Sequence, residues 1–126
     1  MKVLQVLGSA YRATIEEQDD PALWITQAMR GAGGEFSVLL RGNAVSYAVA
    51  GQHAGGIAFG DWQQSQPPDI GADLERLIAS GIDVFAVAED VEARALPASR
   101  LQANVEVIRR SALPDFVQRF DMIWHW

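Results

Sequence analysis

The chain has no cysteine. That absence excludes a disulfide framework, a thiolate zinc site and a cysteine nucleophile together, and it leaves the redox compartment open. Positive charge is scarce: 10 Lys and Arg stand against 16 Asp and Glu, giving a formal charge of −6. A field of that sign repels nucleic-acid backbones and anionic membranes, so no nucleic acid and no membrane are expected as partners. Long apolar runs are also missing. The opening "MKVLQVLGSAYR" carries one Lys and a five-residue apolar-biased stretch, too short for a signal peptide's apolar region or a membrane span. The cytoplasm is therefore the expected compartment. His53 and His125 are the only histidines and are far apart, without an acidic neighbour at ligand spacing, so neither a metal nor another cofactor is expected.

What is present reads as globular. Residues are 49% hydrophobic and 21% charged over 126 positions, with no repeat and no low-complexity tract. A chain of this length and apolar content is expected to form one domain over residues 1–126 around a core of its own.

Strand-like and helix-like patterns alternate along it. Val3 to Leu7 reads as a strand ended by Gly8. Asp20-Pro21 reads as a helix start, because Asp20 can accept free first-turn N–H groups and Pro21 lacks the donor that turn would waste. Trp24, Ile25, Ala28 and Met29 then recur at helical spacing, a stripe expected to face a sheet before Gly31 and Gly33 end the helix. Phe36 to Leu40 is nearly all apolar, as in a strand covered on both faces. Asn43 is placed to cap a short helix through Ala50, with Gly51 closing it. Ile57 to Phe59 is either a short strand or a loop. Asp69 opens a helix with Ile70, Leu74, Leu77 and Ile78 on one face and Gly81 as its stop. Ile82 to Val87 is the next strand, followed by a helical turn near Val91 to Arg94 and a strand from Val105 to Ile108. Leu113, Phe116, Val117 and Phe120 form the last helical stripe, and Met122 to Trp126 the last strand. This alternation implies a three-layer α/β/α arrangement around a mostly parallel five-stranded sheet.

Two stretches, "VLLRGNAVSYAVAGQ" (residues 38 to 52) and "LERLIASGIDVFAVAEDVEARAL" (residues 74 to 96), resemble the DsrE/DsrF family of small α/β proteins from bacterial sulfur relay and oxidation. Leu40, Asn43, Ala44 and Val45 match the family's strand, polar residue, Ala-Val and short helix; Leu77, Gly81, Val84 and Arg94 match its next helix, strand and turn. The apolar close at Ile123 to Trp126 fits as well. The resemblance implies the DsrE/DsrF fold and assembly as a homotrimer or hexamer. It also implies a place beside other sulfur-relay proteins. Active members carry a persulfide-forming cysteine at the end of the strand corresponding to Ile82 to Val87, where this chain has Val87, Ala88, Glu89 and Asp90. Without a thiolate no sulfane sulfur can be accepted or handed on, so a non-catalytic binding or structural role is expected and no catalytic residue is assigned.

Ligands of open α/β sheets gather at the carboxyl ends of parallel strands. Tyr11, Arg12, Arg41, Asn43, Glu89 and Asp90 follow such ends and are the candidate pocket, with the arginines engaging anions. Three readings of Glu89 and Asp90 stay open: a cap on the turn before Arg94, a ligand contact, or a general base whose pKa burial has raised. A flavodoxin-like nucleotide or flavin module is a further alternative, although "GSAYR" lacks both the Walker spacing and the three-glycine fingerprint. None of Ser9, Ser46, Ser65, Ser80, Ser99 and Ser111 lies in a nucleophile-elbow pattern. The run from Glu16 to Asp20 reads as a solvated face, or a dock for a basic partner. Trp62 in the polar "GDWQQSQPPD", with Trp124 and Trp126, is the candidate subunit contact.

Overall fold

The computed structural model describes every residue except Ala13 and residues 15–17, so Glu16 and Glu17 of the acidic run lie outside the described residues. The elements are β1 (Lys2–Leu7), α1 (Pro21–Gly31), β2 (Glu35–Leu40), β3 (Ala58–Phe59), β4 (Trp62–Gln63), α2 (Ile70–Ala79), β5 (Asp83–Val87), α3 (Ala88–Ala93), β6 (Val105–Ile108), α4 (Leu113–Val117) and β7 (Met122–His125). Short 3₁₀ helices cover Gly42–Ala48, Ala98–Arg100 and Arg110–Ala112. Five strands form one sheet in the order β6-β5-β2-β1-β7, and all four ladders are parallel. β3 and β4 pair separately as an antiparallel hairpin, which decides for a strand at residues 58 and 59.

Parallel strands need both faces covered, and the alternation of side chains shows how each is covered. Leu7, Val38, Leu40, Val84, Ala86 and Val105 point to one face, where they pack with Leu23 of α1, Leu74 and Leu77 of α2, Tyr47 and Val91. Leu4, Val6, Leu39 and Val87 point to the other face, where Phe116 of α4 is the buried partner. Burying Phe116 is worth roughly 1.5–3 kcal/mol. α4 is only five residues long, so this second face is thinly covered. The thin cover leaves clefts on either side of the helix.

The start of α1 is as expected. Asp20 accepts from the N–H groups of Ala22 (2.8 Å) and Leu23 (3.2 Å), with Pro21 in the first turn. The expected stripe is not the buried one. Ala22, Leu23 and Thr26 face inward, while Trp24 is 59% exposed and Ala28 is exposed too. The cause is the cap itself: Asp20 is only 4% exposed, and its Oδ2 accepts the Tyr47 hydroxyl at 2.5 Å, which draws the start of the helix inward and sets its phase. Asp20 is therefore not part of a solvated acidic face.

A second correction concerns Asn43, which does not cap the helix after β2. The 3₁₀ helix begins at Gly42, one residue earlier, and no side chain of the preceding residue caps it. Gly42 adopts φ +54°, a conformation that favours glycine, and its N–H is taken by a carboxylate from another element. α2 follows expectation: Asp69 accepts from Ala72 N–H at 3.0 Å, Ile70, Leu74 and Leu77 are buried, and Gly81 ends the turn at φ +90°.

Candidate functional site

Glu89 and Asp90 form the first turn of α3, directly after β5. β5 lies between β2 and β6, and each acid reaches to the loop that follows one of those neighbours. Asp90 Oδ2 accepts the Gly42 N–H at 2.8 Å, and Asp90 Oδ1 accepts from the Arg110 guanidinium at 3.0 Å. Glu89 accepts the Arg110 backbone N–H through both oxygens, at 2.8 and 3.1 Å. The two carboxylates therefore do cap backbone donors. The donors belong to the neighbouring loops, not to the turn before Arg94.

This bonding fixes the electrostatics of Glu89. The Arg110 N–H, then Glu89's own backbone N–H, with help from the charges of Arg109 and Arg110, hold its pKa below the ordinary value. Arg109 also lies 2.8 Å from Glu92 and 3.8 Å from Glu89. A carboxylate stabilised in its charged form is a weaker proton acceptor, so the condition set for a general base at Glu89, a raised pKa, is not met.

A cleft of about 400 Å³ opens at the carboxyl ends of the strands on the thinly covered face. Its floor is Val6, Leu39, Val87 and Ile123, one residue from each of four strands, and Leu113 and Val117 of α4 form its wall. Its polar rim is Arg41, Asp90, Arg110 and His125. Among the described residues Arg41 has no ion pair, whereas Arg110 is engaged by Asp90. The remaining expected residues are distributed elsewhere. Asn43 accepts from Arg94 at 2.8 and 3.3 Å beside the cleft. Tyr11 lines a different cleft of about 330 Å³ with Gln52, His53 and Asp69. Arg12 is exposed and lines neither.

Arg110 and His125 were not among the expected residues. His125 lies opposite Val6 in the β1–β7 ladder, and its place in the alternation of the last strand was the available signal. A third cleft of about 390 Å³ lies at the amino ends of the strands, with Glu35 and Asp83 among Lys2, Arg30 and Arg119. Its two acids offset two of its three cations. Among the described residues no group of three His, Asp or Glu side chains is close enough to hold a metal ion.

The turn after β1 is occupied by the chain itself. Gly8 N–H donates to the Trp126 carbonyl at 3.2 Å, and Trp126 N–H donates to Val6 at 2.9 Å. A phosphate seated on this turn would need the Gly8 donor free, so the nucleotide alternative gains no support there. Of the candidate contact residues, Trp126 Nε1 donates to Gln5 Oε1 at 2.8 Å and Trp124 packs edge-on to Phe36. Trp62 is 57% exposed and, among the described residues, stacks only with Phe59, itself 71% exposed, on the hairpin.

No family model matches the sequence, and no curated protein matches it. Solved structures do share the fold. The ychN protein from E. coli superposes with a TM-score of 0.74 at 19% identity, over 99% of this chain and 97% of that one. The protein of unknown function MTH1491 from Methanobacterium thermoautotrophicum superposes with a TM-score of 0.69 at 11% identity, over 99% and 98%. Both share the fold described above, one parallel five-stranded sheet flanked by helices. Identities this low establish the shared fold and nothing finer. Among the described residues no helix is long and apolar enough to cross a membrane.

Proposed function

We propose that the chain is a cysteine-free DsrE/DsrF-like protein that binds rather than catalyses, serving as a ligand-binding or structural partner in bacterial sulfur metabolism. The cytoplasm is the compartment this role implies. One observation carries the reading. At the strand end where the resemblance places a persulfide-forming cysteine, Glu89 and Asp90 instead hold the Gly42 and Arg110 N–H groups, which makes the position a structural staple. The cleft beside it, rimmed by Arg41, Asp90, Arg110 and His125, is the binding site in this reading. A homotrimer or hexamer would cover the exposed Phe59 and Trp62 of the hairpin and the Met122 side chain of the edge strand β7.

The test has two parts. Light scattering on the purified chain and on Trp62→Ala should give a trimer or hexamer that the substitution weakens. Sulfur transfer between a cysteine-bearing relay protein and its acceptor should respond to the chain in a complex visible by native mass spectrometry, while the chain alone turns nothing over. A turnover by the chain alone that Glu89→Gln or Asp90→Asn abolishes, with folding and assembly intact, would overturn the reading.

A further inference from the structure

We infer that the carboxyl-end cleft takes a monoanion with an apolar body, of the class of short-chain aliphatic or aryl carboxylates, with its charge at Arg41 and its tail between α4 and the sheet. This rests on the cleft being the binding site of the proposed function and names its ligand class. Two features of the geometry carry it. The interior is built wholly from hydrocarbon: Val6, Leu39, Val87 and Ile123 below, Leu113 and Val117 beside. Arg41, Asp90 and Arg110 follow the carboxyl ends of their strands, whereas His125 stands level with Val6 on the β7 side, so a ligand's charge is drawn to the strand ends.

The charge at that end follows from the hydrogen bonds. Asp90 spends one oxygen on Gly42 N–H and the other on Arg110, so the acid and Arg110 neutralise each other within the rim. Arg41 is left without an ion pair among the described residues, and His125 adds a second donor on the same rim. One unpaired guanidinium beside low-dielectric walls favours a single negative charge. A cation is repelled, and a bare inorganic anion leaves the hydrocarbon unused. The volume of about 400 Å³ lies in the range of small-molecule sites.

The experiment is a titration of the full chain, by calorimetry and by amide chemical shifts, with acetate, butanoate, hexanoate, 1-hexanol, hexylammonium and inorganic phosphate. Hexanoate should shift amides around Gly42, Val87, Leu113 and Ile123. Affinity should rise about fourfold per methylene from butanoate to hexanoate, the equivalent of ~0.8 kcal/mol per buried CH₂. Arg41→Gln should weaken hexanoate about tenfold and leave 1-hexanol unchanged, whereas Arg41→Lys should keep most of the affinity. Acetate, phosphate or hexylammonium binding as tightly as hexanoate overturns the ligand class while leaving the cleft a binding site. Silence at the cleft with every probe overturns the inference outright. If the same amides then shift on dilution of the protein, a second copy fills the cleft, and the structural-partner reading stands without the ligand.

Discussion

The Gly42 N–H donates to Asp90 Oδ2 at 2.8 Å, joining the loop after β2 to the first turn after β5. The same acid's other oxygen holds Arg110 beyond β6, and Glu89 holds the Arg110 N–H. The loops following three adjacent strands, β2, β5 and β6, are thus fixed by two consecutive carboxylates. Since the strand ladders stop at these loops, the positions of the cleft's rim depend on the acids.

Asp90→Ala should therefore lower stability by about 1–3 kcal/mol, because it strips a part-buried backbone donor of its acceptor and frees Arg110. Asp90→Asn should cost less, since an amide oxygen still accepts from Gly42. Urea unfolding of the three proteins measures both. Equal stability of all three would show that the staple contributes nothing.

Gly42 and Gly51 make a matched pair for testing the same loop. Both have positive φ, +54° and +71°. A Cβ on Gly42 would come within 3.2 Å of the Gly8 carbonyl oxygen, whereas one on Gly51 would meet nothing within 4 Å. Alanine at either position bears the left-handed cost of roughly 1–2 kcal/mol. Gly42→Ala should be the more damaging of the two, because the backbone after β1 must also move. Thermal or urea midpoints in the reverse order would contradict this close approach of the two loops.

The order of strands and helices was legible in the sequence because strands buried on both faces read as nearly continuous apolar runs, as in Phe36 to Leu40 with Ser37 its one polar residue. Caps at Asp20 and Asp69 were legible because capping is local. The phase of α1 was not. Trp24, Ile25, Ala28 and Met29 recur as regularly as Ala22, Leu23 and Thr26, and the choice is made by the Tyr47 hydroxyl, 27 residues from Asp20. The cleft was half legible for the same reason. Arg41 and Asp90 follow strand ends, where parallel sheets place their ligands. Arg110 and His125 join them only because β6 lies beside β5 and β7 beside β1, an order that no local pattern encodes. Tyr11 separates from them because its backbone N–H donates to Tyr47 on the opposite face, at 2.5 Å.

Tyr47→Phe tests that long-range lock. The Tyr47 ring is fully buried, and its hydroxyl serves both Asp20 and the Tyr11 N–H. Burial, then the hydrogen bond and charge of Asp20, push the Tyr47 pKa up, so the hydroxyl stays protonated as a donor. Removing it leaves a buried carboxylate short of a partner, a loss of about 2–3 kcal/mol or more. Asp20→Asn should cost less, because Asn also caps helices and still accepts from the hydroxyl. If calorimetry gave the two variants the same stability as the parent, the lock would not set the phase of α1.

Two carboxylates should give stability opposite dependences on pH. Glu89 has a folded-state pKa below its ordinary 4.5, chiefly through the Arg110 N–H, so the folded chain binds its proton less readily than the unfolded chain. The stability it supplies is complete above the ordinary value and is lost as the pH falls through the folded one. Asp73 is shifted the other way: burial raises its pKa above 3.8, the charges of Asp19, Asp69 and Asp20 add to the rise, and Arg76 opposes it. Its contribution is complete below the ordinary value and is lost as the pH rises through the folded one. The stability difference between the parent and Glu89→Gln should therefore shrink as acid is added, while the parent should gain on Asp73→Asn over the same titration. Unfolding free energies measured from about pH 7 to about pH 3 would show the two slopes. Parallel slopes would mean that one of the two acids is not held as its hydrogen bonds and neighbours require.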